Sequence, residues 1–251
     1  MRHPILAANW KLNHGPTEAR AFMAAFLAAY SPRDDRTVAL FPPALSVTTV
    51  RDALASRTDI FIGVQNIHTE PKGAFTGESS APMARDAGAR LALVGHSERR
   101  HVFGETDEAT AKKCALALQH GLIPMLCVGE KIDQRERGET EAVVLRQLRA
   151  GLSAVDRKDL ARVLIAYEPV WAIGTGKTAT PTDASTVHAV IRNALNSLIG
   201  SNEQAASIPI LYGGSVSRDN ARSLLQAPGV DGLLVGGASL DASSWSAIAS
   251  T

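Results

Sequence analysis

Cysteine is almost missing from this chain. Cys114 and Cys127 are the only two in 251 residues. They form no C-x-x-C pair and share no zinc-type spacing with histidine, so neither a disulfide framework nor a thiolate metal site is expected. Two scattered thiols suit a reducing compartment. Aromatic side chains are scarce as well, at 5%, which leaves Ala, Leu and Val to fill the core. Neither sign of charge is in surplus. A formal net charge of +1 argues against a general polyanion binder, which needs a basic face. No apolar run approaches the roughly 20 residues that span a bilayer. The opening MRHPILAANWKLN turns polar too soon for a signal peptide. Long Pro/Gly/Ser linkers and low-complexity tracts are also missing. The expectation is one soluble, cytoplasmic domain over residues 1–251, with no nucleic-acid or membrane partner.

What the chain does have is a repeated unit. Eight short apolar runs appear, at Ile5–Ala8, Thr37–Phe41, Ile60–Val64, Leu91–Val94, Ile123–Val128, Val163–Tyr167, Ile208–Tyr212 and Gly232–Val235. They are continuous rather than alternating, which suits strands buried on both faces. Helical patterns lie between them. In 182–198, Val187, Val190, Ile191, Ala194, Leu195 and Leu198 fall at helical spacing, with Gly200 where a C′ glycine belongs. Thr106 can cap a helix running to Gln119, with Asp107 and Glu108 in its first turn. Residues 17–29 and 140–150 read the same way. Strands separated by helices imply right-handed crossovers and a parallel sheet. Eight units in about 250 residues predict a closed (β/α)8 barrel, with an open doubly wound sheet as the alternative.

Polar and glycine-rich words follow the apolar runs: NWK, QN, GHSERR, GE, EP, GGS and GG. In a barrel these converge on the carboxyl mouth, where active sites are built. One of them continues into EPVWAIGTGKT, residues 168–178, whose tail resembles a nucleotide loop. A Walker A loop needs a glycine five residues before Gly176, and Trp171 stands there. The dinucleotide pattern fits Gly174, Gly176 and Ala179 formally, but it starts too far from its strand and lacks the acid after the next one. The segment reads instead as a lid, a glycine tip between the arms Pro169-Val-Trp171 and Lys177-Thr-Ala179.

Glu168 stands at the root of that lid. Pro169 holds its predecessor extended, so the carboxylate projects from a defined point. Its bland role is a surface charge ending a strand; its chemical role is general base beside a carbonyl. An apolar cover would raise its basicity. YGGS at 212–215 and VGG at 235–237 are tight turns or, after the last two strands, the phosphate site of such a barrel. His96 sits at a helical start, which disfavours the imidazolium; a neutral ring still donates a hydrogen bond. Lys11 is either solvated or paired with a substrate anion. Glu98-Arg99-Arg100 reads as a solvated charge cluster.

Together these words resemble the triosephosphate isomerase family. The match runs from ANWK at 8–11 through GAFTGE at 73–78, GHSERR at 95–100, CVGE at 127–130 and YEPVWAIGTGK at 167–177 to YGGSV at 212–216 and VGGASL at 235–240. The resemblance implies a single-domain TIM barrel. It implies a cofactor-independent, metal-free isomerase interconverting dihydroxyacetone phosphate and D-glyceraldehyde 3-phosphate through an enediolate. In that reading Glu168 moves the proton, neutral His96 polarises the carbonyl, and Lys11 and Asn9 stabilise the intermediate, with Ser97 and Glu98 in support. Gly174, Ser215, Gly236 and Gly237 hold the phosphate. Pro169, Trp171 and Gly176 belong to the closing lid, latched by Tyr212 and Ser215. A homodimer is implied, with Thr76 on the loop that reaches the neighbour. Two other readings start from the same residues: another phosphate-binding barrel, such as an aldolase or synthase, and a nucleotide switch using Lys177.

Overall fold

Eight strands form the sheet: β1 (Ile5–Asn9), β2 (Thr37–Phe41), β3 (Ile60–Val64), β4 (Leu91–Val94), β5 (Ile123–Val128), β6 (Leu164–Tyr167), β7 (Ile210–Tyr212) and β8 (Gly232–Val235). Each pairs in parallel with its sequence neighbours. The ring closes where Ile5 of β1 faces Thr37 on one side and Gly232 on the other. This computed structural model describes residues 1, 3–55, 57–173 and 179–251. Around the ring lie α1 (Pro16–Ala29), α2 (Val47–Leu54), α3 (Ala81–Asp86), α4 (Ser97–His101), α5 (Asp107–Gln119), α6 (Ile132–Glu136), α7 (Thr140–Leu152), α8 (Pro181–Ile199), α9 (Asn202–Ala206), α10 (Ala221–Leu225) and α11 (Ala242–Ala249). None is long and apolar enough to cross a membrane.

Strand residues split by parity into two packed layers. Ile5, Ala7, Ala39, Phe41, Leu93, Met125, Cys127, Leu164, Ala166, Leu211 and Leu234 fill the barrel. Leu6, Ala8, Val38, Leu40, Ile165 and Leu233 face the helices. Both faces are therefore dry, which is why the strands read as unbroken apolar runs. The interior is narrow, so small residues oppose large ones: a Cβ on Gly63 would lie 2.2 Å from the Phe41 ring. An aromatic cluster lies outside the barrel, where Phe26 stacks on Tyr30 at 5.2 Å and Phe22 meets Trp10 at 4.7 Å.

The expected caps hold. Thr106 accepts the Ala109 N–H at 3.1 Å, and Gly200 closes α8 in the left-handed region at φ 72°. Two strands start later than expected. Val163 donates its N–H to Leu160, ending a 3₁₀ turn before β6 begins. Pro209 has no N–H to give a ladder, and β7 starts after it.

His188 of α8 is buried. Its Nδ1–H donates to the Gly229 carbonyl at 2.8 Å, while Nε2 has no partner among the described residues. Burial therefore holds its pKa down to about 4. Unfolding restores the ordinary value near 6.5, so the unfolded chain takes up a proton that the folded one refuses. Stability from this residue is complete above pH 6.5 and lost as pH falls to 4. The expected loss is about 3 kcal/mol. Denaturant unfolding across that range should show a shallower fall for His188→Asn. An unchanged slope would count against the assignment.

Candidate active site

In several strands the inward row runs on to the mouth, where its last or next member is polar or glycine. Asn9 follows Ile5 and Ala7. Glu168 follows Leu164 and Ala166. Gly213 follows Leu211, and Gly236 follows Leu234. Side chains alternate with period two, so the geometry that fills the barrel also aims Asn9 and Glu168 into the mouth. They meet there in a cavity of about 310 Å³, which Lys11, His96, Ile173, Ser215 and Gly237 also line.

Glu168 is only 2% exposed. Its Oε1 lies 3.0 Å from His96 Nε2, and its Oε2 accepts the backbone N–H of Ser97 at 2.9 Å. Ser97 thus supports the acid through its backbone. His96 is the residue before α4, and its Nδ1 accepts the Glu98 N–H at 3.3 Å. A nitrogen that accepts carries no proton, so a neutral ring holds its hydrogen on Nε2, toward the cavity. Asn9 is oriented by the Lys11 N–H, which donates to Oδ1 at 3.0 Å. That turns the Asn9 Nδ2 to within 3.2 Å of His96 Nε2. Two N–H donors therefore converge on one spot.

The electrostatics differ from the sequence-based expectation. Burial alone favours neutral His96, but the Glu168 carboxylate outweighs it, and the pKa of His96 lies above its ordinary value. Burial likewise raises Glu168, yet His96, the Ser97 N–H and Lys11 carry it below its ordinary value. The helical start at His96 is legible in sequence. The carboxylate that β6 delivers to the other ring nitrogen is not.

Lys11 adopts φ 53°, unusual for a side-chain-bearing residue. Gln65 holds it there, donating to the carbonyls of Lys11 and Phe41, each at 2.8 Å. Lys11 Nζ pairs with Glu98 at 2.7 Å, and its stem crosses Gly236, where a Cβ would stand 3.2 Å from Cε. Ser215, Gly236 and Gly237 border the cavity beside this cation.

Glu130 ends the word CVGE, and the sequence alone assigns it no role. It is fully buried. It accepts the Trp171 Nε1–H at 2.8 Å and the Tyr167 hydroxyl at 3.2 Å. Arg135 lies over the Trp171 ring at 4.3 Å. The segment after Glu168 is thereby fastened to the end of β5. Pro169 packs at Gly214, whose Cβ would come within 2.9 Å of its ring. The Tyr212 hydroxyl is buried with no hydrogen-bond partner among the described residues. Gly174, Gly176 and Lys177 lie outside the described residues. Thr76 is exposed on the loop after β3 and does not line the cavity.

Comparison with known proteins gives one consistent result. A family model described as triosephosphate isomerase matches residues 4–251. The triosephosphate isomerase of Roseiflexus sp. (strain RS-1) is 50% identical over 245 residues, 98% of this chain and 96% of that protein. That of Roseiflexus castenholzii is 49% identical over the same span. That of Symbiobacterium thermophilum is 46% identical over 248 residues, covering 99% of this chain and 96% of the relative.

Proposed function

Since the chain belongs to the triosephosphate isomerase family, we propose that Glu168 is the base of its reaction and that His96, Asn9 and Lys11 stabilise the intermediate. The reaction itself is the glycolytic interconversion of dihydroxyacetone phosphate and D-glyceraldehyde 3-phosphate. One observation carries the assignment. Glu168 Oε1 and His96 Nε2 face each other at 3.0 Å at the wall of a cavity that also holds a lysine and two glycine turns.

A substrate carbonyl oxygen takes the position between His96 Nε2–H and the Asn9 amide, and the Glu168 carboxylate leaves the ring. With the carboxylate gone, burial again favours the neutral imidazole. Glu168 then removes a proton from the carbon beside the carbonyl. Charge moves onto the oxygen, where the two donors and the Lys11 ammonium meet it. His96 helps pass the hydroxyl proton from one substrate oxygen to the other, and the protonated Glu168 returns its proton to the neighbouring carbon, which leaves a carbonyl where the hydroxyl was. Glu98 keeps Lys11 aimed. The backbones around Ser215, Gly236 and Gly237 take the phosphate, and Gly174 joins them when the lid closes. Pro169 and Trp171 form the near arm of that lid, Gly176 its tip, and Tyr212 with Ser215 the latch. The cover excludes water and limits phosphate loss from the intermediate. Turnover of both triose phosphates by wild type and Glu168→Gln tests the base.

We also propose a homodimer, in the cytoplasm where glycolytic substrates are found. Large apolar side chains stand exposed in the segments after the first four strands: Leu12 at 97%, Leu45 at 82%, Met83 at 60% and Phe103 at 66%. Phe75 and Thr76 are exposed as well, on the Gly73–Glu78 loop, and Phe75 shares a pocket with Met83. A second copy covering this side would remove that surface from water. Sedimentation at micromolar concentration should give twice the 26.5 kDa chain mass, and Phe75→Asp should shift it toward one. A single-chain mass for the wild type would sink the dimer.

A further inference from the structure

Arg100 belongs to the stretch expected to be a solvated charge cluster, yet its side chain is only 7% exposed. It runs back beneath the strand ends and spends its guanidinium on three acceptors. Nε donates to the Gly95 carbonyl at 2.7 Å, Nη2 to the Cys127 carbonyl at 3.2 Å, and Nη1 to the Asp107 carboxylate at 2.8 Å. The first two belong to different strand ends. Gly95 leads from β4 directly into His96. Cys127 lies in β5, whose next carbonyl, that of Val128, accepts the Glu168 N–H at 2.8 Å. One planar cation therefore ties the strand end that carries His96 to the one that backs Glu168.

The other side of Gly95 is held as well. Its N–H donates to Glu105 Oε2 at 3.0 Å, and Glu105 is itself buried against Lys113. Gly95 has φ 70°, and a Cβ there would stand 2.6 Å from Arg100 Nη2. Both polar groups of the residue before His96 thus end on buried, charged side chains. Charge-assisted bonds of this kind are short and directional, and only guanidinium presents a rigid fork in several directions at once.

We propose that Arg100 is a positioning residue for catalysis, setting the placement of His96 Nε2 against the Glu168 carboxylate by clamping Gly95 to Cys127. The inference rests on the catalytic roles proposed above for His96 and Glu168. Arg100 touches neither substrate nor cavity, so its effect falls on the chemical step rather than on phosphate binding.

The test compares Arg100→Lys and Arg100→Ala with wild type, each normalised to folded enzyme by near-UV circular dichroism. Lysine keeps the charge beside Asp107 but cannot reach three acceptors. The expected result is a kcat about 10–100-fold lower, because misplacement by an ångström costs that much, with KM and inhibition by inorganic phosphate nearly unchanged. Added guanidinium ion should restore part of the activity of Arg100→Ala. In the background of His96→Gln, Arg100→Lys should cost much less than it does alone, since both act on one unit. Wild-type kcat in folded Arg100→Lys, or full additivity with His96→Gln, would overturn the clamp. An active His96→Gln enzyme would instead overturn the catalytic reading on which it rests.

Discussion

Glu168→Gln should lower kcat for both triose phosphates by about 10²–10⁴-fold, the range that a positioned general base supplies. The replacement is nearly isosteric. Its amide oxygen can still accept the Ser97 N–H that now reaches Glu168 at 2.9 Å, so the fold has little to lose. What it lacks is a lone pair basic enough to take a carbon-bound proton. KM should move little, because the phosphate contacts proposed at Ser215, Gly236 and Gly237 lie across the cavity. A second signature separates this outcome from simple damage. The carboxylate now holds the His96 pKa up against the opposing effect of burial. Its removal leaves burial unopposed, so a nuclear magnetic resonance titration should find the His96 pKa lower in the variant. Normal turnover in Glu168→Gln would end the base assignment. An unchanged His96 titration would mean that the contact at 3.0 Å does not exist in solution.

The acid is legible in the sequence because it ends an apolar run and Pro169 holds it extended. The parity of Leu164 and Ala166 that aims it inward emerges only in the closed barrel, as does that of Ile5 and Ala7 before Asn9. The glycine turns were legible because their place after the last two strands has a meaning in a closed barrel. Other features depend on contacts between distant segments, and no local pattern carries those. The direction of the His96 pKa depends on a carboxylate 72 positions later in the chain. Arg100 resembles its neighbour Arg99 in sequence, and only the return of its side chain beneath β4 and β5 distinguishes it. Glu130 follows a glycine like several other polar residues. Its role comes from Trp171 and Tyr167, which donate to it from a distant part of the chain.

Gly129 has the same character, and it yields the sharpest structural test. It stands on the inward row of β5 after Met125 and Cys127. A Cβ there would fall 1.7 Å from the Glu168 carbonyl oxygen and 2.6 Å from its carbon. Those atoms are backbone, with no flexible end to swing aside. Gln147 pins Gly129 from the other side, accepting its N–H at 2.7 Å and donating to its carbonyl at 3.2 Å. Gly129→Ala must therefore push the Glu168 peptide outward by about an ångström, which misplaces the base. We expect kcat to fall about 100-fold and stability to fall by about 1–3 kcal/mol from overpacking. Inhibition by inorganic phosphate should hardly change, since the proposed phosphate site follows β7 and β8. Gly237→Ala makes the opposite case. Apart from its two chain neighbours, no described residue comes within 4 Å of its Cβ position, so the melting temperature should hold. The methyl would enter the cavity where the phosphate is proposed to sit, so KM and the phosphate inhibition constant should both rise. Wild-type kcat in Gly129→Ala would show that the base tolerates a displaced backbone. Unaltered phosphate inhibition in Gly237→Ala would move the anion away from the β8 turn. The opposite responses of the two glycines separate the chemical half of the cavity from its anchoring half.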